Sequence, residues 1–153
     1  MKSEPSAFSF DDLRKAKSQT TSWDGVRNYQ ARNTMRDSMQ VGDGVLFYHS
    51  NADPPCIPGI AEVVREGYAD HTAFDPKDSH YDPKSRKESP IWYVVDIKFV
   101  KAFKEPVTLP KIRATKELQK MVLVRPGSRL SVQPVTRQEW EIILRLGGIG
   151  REK

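Results

Sequence analysis

Cysteine is nearly missing: Cys56 is the only one in 153 residues. A lone thiol excludes an internal disulfide and suits a reducing compartment, so a cytoplasmic location is expected. Histidine is scarce as well, with three, at positions 49, 71 and 80. A zinc deaminase needs a His/Cys ligand set beside a general-acid glutamate, and the scattered His and Asp residues match neither that spacing nor a calcium loop. No metal and no cofactor are therefore expected. No apolar run approaches the roughly 18 residues of a membrane span. Lys2 is followed by Ser-Glu-Pro and not by a signal-peptide apolar core. No membrane partner is expected. There is also no internal repeat and no alternation of strand and helix of the parallel-sheet kind.

What is present describes one ordinary domain, 37% apolar and 29% charged, long enough to bury roughly 70% of its unfolded surface. Lys and Arg number 25 against 20 Asp and Glu, a net charge of +5. That excess suggests a polyanionic partner, although most charge runs are merely solvated faces. The basic residues gather at Arg27, Arg32 and Arg36, at Lys84, Arg86 and Lys87, and at Arg125 with Arg129.

The densest functional chemistry lies in Trp23-Asp24-Gly25-Val26-Arg27-Asn28-Tyr29-Gln30-Ala31-Arg32-Asn33. Such a mix of aromatic, guanidinium and amide groups is more than core filling requires. Asp24-Gly25 is a turn signal, and Asn28 is placed to cap a short helix through Tyr29, Arg32 and Met35. The pattern predicts a loop presenting Trp23 and Arg27, braced by the helix behind it.

Along the chain, Ser9 reads as a helix N-cap followed by acids in the first turn. Val41 to Gly44 turns into a strand over Val45 to Tyr48, and Asn51 to Pro58, with three prolines, reads as loop. Gly59 to Tyr68 is a second strand. Residues 69–90 form a long polar insertion, the kind of loop that is usually functional or mobile. Ile91 to Phe103 alternates as a half-buried strand. Thr108 and Thr115 look like helix caps, and Leu130 to Gln133 is a last short strand stopped by Pro134. Thr136 to Glu139 is a capping box for a helix that buries Trp140, Ile143 and Leu144, ended by Gly147-Gly148. Strands clustered among peripheral helices give an α+β domain.

Polar and aromatic groups fall at strand ends and in loops: Ser3, Glu4, Trp23, Asn28, Tyr29, Tyr48, His49, Ser50, Asn51, Ser131 and Gln133. If the fold gathers them, they line a pocket suited to a planar, hydrogen-bonding ligand, and a flipped-out nucleobase is the obvious one. Each member also has a structural alternative. Trp23 can be core, His49 and Gln133 can hold backbone, Glu4 can pair with Lys2, and Arg27 can pair with Asp24.

Five ordered blocks carry a family resemblance: Lys2-Ser3-Glu4-Pro5, Trp23 to Asn33, Phe47-Tyr48-His49-Ser50-Asn51, Gly59-Ile60-Ala61-Glu62-Val63-Val64 and Leu130-Ser131-Val132-Gln133-Pro134. The chain resembles the EVE domain family of the PUA-like group from residue 1 to about 146. The resemblance implies a twisted five-stranded β-barrel surrounded by short helices, a single domain over 1–147 and a tail over 148–153. Its pattern has a hydrophobic strand leading into the Lys-Ser-Glu-Pro block, so with Met1 first the opening strand is expected to be short.

The family implies a non-catalytic reader of modified bases, such as 5-methylcytosine or 5-hydroxymethylcytosine in DNA, or a modified RNA nucleotide. The implied base pocket is Ser3, Glu4, Trp23, Asn28, Tyr29, Tyr48, His49, Ser50, Ser131 and Gln133, with Arg27, Arg32 and Arg129 on phosphate. The expected partner is nucleic acid, bound by a monomer. The competing readings are an enzyme acting on a flipped base, for which Glu4 is the one pocket carboxylate, and a module that binds a peptide or small molecule.

Overall fold

The computed structural model describes residues 1–127 and 130–149. Helix starts lie where short polar side chains can take up the orphan N–H groups of a first turn. Ser9 opens α1 (Phe10–Lys15): its hydroxyl accepts the Asp12 N–H at 3.0 Å, and the Asp12 carboxylate accepts the Ser9 N–H at 2.8 Å. Phe10 and Leu13, one turn apart, are the face that α1 buries. Asn28 opens α2 (Tyr29–Asn33), accepting the Ala31 N–H at 3.0 Å, and the helix runs on into a wider turn over Thr34–Ser38. Thr108 caps α3 (Leu109–Ala114), and Thr136 with Glu139 forms the capping box of α4 (Arg137–Leu146). Thr115 makes no side-chain cap; its hydroxyl donates back to the Lys111 carbonyl at 2.8 Å.

Five strands form one sheet: β1 (Lys2–Ser3), β2 (Thr20–Ser22), β3 (Gly44–His49), β4 (Cys56–Ala69) and β5 (Tyr93–Thr108), in the order β1-β3-β4-β5-β2. β1 runs parallel to β3, and the other pairs are antiparallel. The sheet is open, with β1 and β2 as its edges. Strand count, mixed direction and surrounding short helices agree with the twisted α+β PUA-like fold. The β4–β5 ribbon carries several register shifts, which bend and twist it. Pro58, expected in a loop, sits inside β4 at the shift between Ile57 and Gly59, where its missing N–H is tolerated. Residues 130–133 form no strand, contrary to expectation. β1 is only two residues long and offers little edge to pair with, and a bond from the Lys2 N–H to the Ser131 carbonyl at 2.8 Å ties the segment down.

The pleat of β3 divides the interior. Val45 and Phe47 enter one core with Trp23, Ala31, Met35 and Ile97; Leu46 and Tyr48 enter a second with Ile57, Val107, Ile112 and Ile143. Each fully buried side chain of this size contributes about 1.5–3 kcal/mol. Among the described residues no helix is long and apolar enough to cross a membrane.

Candidate nucleic-acid interface

The segment between Trp23 and Asn33 is held by the polar insertion that follows β4. Asp70, 0% exposed, accepts the Gly25 N–H at 2.9 Å, an Arg27 N–H at 3.0 Å, and both the N–H and the hydroxyl of Thr72 at 2.9 and 2.6 Å. Burial pushes the Asp70 pKa up, but the bonds from Thr72, Gly25 and Arg27 together outweigh it and hold the carboxyl below its ordinary value. Desolvation and the neighbouring Asp70 charge push Asp24 the other way, upward.

Arg27 was expected on phosphate, and in the structure its guanidinium is taken up by partners within the fold. Its Nε and Nη2 donate to the His80 carbonyl at 3.1 and 2.6 Å, its Nη1 to Asp70 and to the Val26 carbonyl at 3.0 Å each, and its Nη2 also to the Thr72 hydroxyl at 3.3 Å. A guanidinium has five N–H groups, and all are engaged. The pairing partner is Asp70, not Asp24. Gly25 adopts a positive φ of 77°, and a Cβ there would lie 2.6 Å from the His80 ring, so glycine is required for the insertion to close over the turn.

The insertion's aspartates do a common job. Asp70, Asp75, Asp78 and Asp82 each accept the backbone N–H two residues on, at Thr72, Lys77, His80 and Lys84. This is the side-chain turn that Asp forms readily, and it explains why the loop is polar yet ordered. Among the described residues no group of three or more His, Cys, Asp or Glu could hold a metal ion. Asp82 also fixes Trp92, accepting its indole N–H at 2.7 Å. Tyr29 lies on Trp92 with ring centres 4.9 Å apart, and Arg27 and Arg32 stand 5.3 and 5.0 Å from the Trp92 and Tyr29 rings.

A second group forms where β1 and β3 end. The Ser50 N–H donates to the Ser3 carbonyl at 3.0 Å, and the Ser3 hydroxyl donates to the Phe8 carbonyl at 2.6 Å. His49 Nε2 accepts the Phe10 N–H at 3.0 Å, so the neutral ring carries its proton on Nδ1. Burial lowers the His49 pKa in the same sense. Glu4 is exposed, and its carbonyl accepts the Ala7 and Phe8 N–H groups at 2.9 Å each.

Trp23 is 8% exposed and meets Phe47 edge-on at 5.5 Å; Phe47 in turn meets His49 edge-on at 5.7 Å. Trp23 is thus a core residue, and only a rim of it remains accessible. Tyr48 points to the opposite face of β3 from His49, into the second core, because strand neighbours alternate. It does not share a wall with His49. Ser131 faces β1 through its carbonyl. Gln133 Nε2 donates to the Leu130 carbonyl at 3.0 Å and borders a cleft of about 930 Å³ with Met1, Val45, Val132 and Trp140. No other expected pocket residue lines that cleft. Arg129 lies outside the described residues.

Sequence reasoning missed Asp70, Thr72 and Asp82 as the parts that brace the site. Their signal was the repeated Asp two residues ahead of a backbone donor, visible only as a polar run.

A family model for the EVE domain matches residues 1–146. Thymocyte nuclear protein 1 of Gallus gallus is 43% identical over 162 residues, covering 95% of this chain and 66% of that protein. The chain therefore spans about two thirds of that relative's length. Among solved structures, a protein of Leishmania major is 51% identical with a TM-score of 0.89, covering 97% of this chain and 92% of its own. Human THYN1 protein, solved in complex with 5-methylcytosine containing DNA, is 41% identical with a TM-score of 0.90, covering 96% of this chain and 95% of its own.

Proposed function

This chain belongs to the EVE domain family, and from that premise we propose that it is a non-catalytic DNA-binding protein that reads a modified cytosine. The observation that carries the reading is the likeness to human THYN1 protein, solved with 5-methylcytosine containing DNA, across 96% of this chain. The local chemistry supports it. Extruding a base costs a few kcal/mol, and one stacking contact returns on the order of 1–3 kcal/mol. Directed hydrogen bonds must make up the difference.

The group at the ends of β1 and β3 has such bonds to offer. The exposed Glu4 carboxylate can accept from the cytosine amino group, and His49 Nδ1–H and the Ser50 hydroxyl can donate to its ring acceptors. The rim of Trp23 and the His49 ring, both packed on Phe47, supply the wall. Asn28, whose Oδ1 is occupied as a helix cap, has its amide hydrogens left for the strand. The non-catalytic part of the proposal rests on the same inventory: His49 Nε2 is already occupied, and Asp70 is buried and paired.

The test is a fluorescence titration with matched short oligonucleotides, DNA and RNA, carrying cytosine, 5-methylcytosine or 5-hydroxymethylcytosine, at two salt concentrations. Tighter binding to a modified DNA strand that persists at the higher salt supports the reading. Equal and salt-labile binding to every strand overturns it, and preference for modified RNA reassigns the substrate. Glu4→Gln separates reader from enzyme, because a reader loses affinity and an enzyme loses turnover.

A further inference from the structure

Two arginines near the tilted Tyr29–Trp92 ring pair look alike in sequence and differ in what they have left to give. Arg27 has every N–H engaged within the fold. Arg32 makes two hydrogen bonds, Nε to Asn33 Oδ1 at 2.8 Å and Nη1 to the Ile91 carbonyl at 2.7 Å, and its guanidinium stands 5.0 Å from the centre of the Tyr29 ring. Three of the five N–H groups of a guanidinium therefore remain without a partner among the described residues. The first arginine builds the platform, and the second is held in place with donors to spare.

Tyr29 is equally unusual. It is 58% exposed, the most exposed of the large apolar side chains among the described residues, yet its position is determined from behind. Trp92 supports it at 4.9 Å and is itself pinned through its indole N–H to Asp82 at 2.7 Å. An aromatic ring that is both open to solvent and pre-positioned has little ordering cost to meet when another ring stacks on it.

We propose that Tyr29 and Arg32 form a nucleotide clamp separate from the base-reading group: Tyr29 stacks on an unmodified base flanking the extruded one, and the unpartnered N–H groups of Arg32 hold its phosphate. The inference rests on the nucleic-acid reading but not on which base is read. It moves Tyr29 out of the discriminating pocket and makes it a contact for any sequence, since every base has a face to stack. It also makes the site single-strand-like, because a base can reach an exposed ring only where the duplex is opened.

The test compares wild type with Tyr29→Ala, Tyr29→Phe and Arg32→Gln on intact strands and on strands with an abasic nucleotide beside the target cytosine. Tyr29→Ala is expected to weaken binding about 5- to 150-fold, the range of one base–aromatic stack, equally for modified and unmodified strands. Tyr29→Phe is expected to bind as wild type. The abasic strand should weaken wild type by a similar factor and leave Tyr29→Ala unaffected. Arg32→Gln should flatten the dependence of log K on log salt by about 0.7–0.9. The clamp is overturned if Tyr29→Ala binds like wild type, or if it loses only the preference for the modified base, which would return Tyr29 to the pocket. A wild type without any modification preference, but with the abasic effect intact, refutes the reader and leaves the clamp standing.

Discussion

The Arg27 guanidinium and the buried Asp70 carboxylate meet at 3.0 Å although 43 residues separate them in the chain. This pair welds the insertion after β4 to the loop after β2, and Thr72, His80 and Gly25 complete its hydrogen bonding. Surface ion pairs contribute little, but here one partner is wholly inaccessible and the other 23% exposed.

Arg27→Ala is therefore expected to destabilise the fold by about 3–5 kcal/mol, since it strands a buried charge. Urea unfolding measures it, and the double variant Arg27→Ala/Asp70→Ala should recover part of the loss. At a temperature where the variant remains folded, the salt slope of DNA binding should match wild type. A flattened slope would restore Arg27 to the phosphate contacts.

Trp23→Ala should act first on stability, by about 3–5 kcal/mol, as expected for removal of a large buried aromatic. A variant that unfolds like wild type but no longer distinguishes modified cytosine would show that Trp23 is a pocket wall and not a core residue.

His49 has its pKa lowered by burial, and the imidazolium form cannot accept the Phe10 N–H. A folded-state value below the unfolded value of about 6.5 means that its contribution to stability is complete above that pH. It is then lost as the pH falls from about 6.5 toward the folded value. NMR titration of the His49 ring, with unfolding midpoints between pH 8 and pH 5, checks both points. His49→Gln, which keeps an acceptor, should lessen this pH dependence. A measured pKa at or above 6.5 would contradict the assignment.

Much of the fold was legible in local chemistry. Ser9, Asn28, Thr108 and Thr136 cap helices because their short side chains reach the N–H groups of their own first turns. The face of β5 that carries Val95 and Ile97 is buried as its alternation requires. Residues 130–133 failed as a strand because pairing depends on an edge long enough to receive it, which no local pattern reports.

Local sequence by itself determined the helix caps, the three long strands and the chemical character of the site, because caps, turns and alternation act within a few residues of chain. The family and its five strands were legible only through the resemblance of the ordered blocks. Only the tertiary structure decided which functional groups are free to bind. It engages all of Arg27 and leaves most of Arg32, turns Tyr48 away from His49, buries Trp23 and holds Tyr29 open. Those outcomes depend on Asp70, His80, Trp92 and Phe47 arriving from distant segments, and hydrogen-bond saturation is a property of the partners that meet in space.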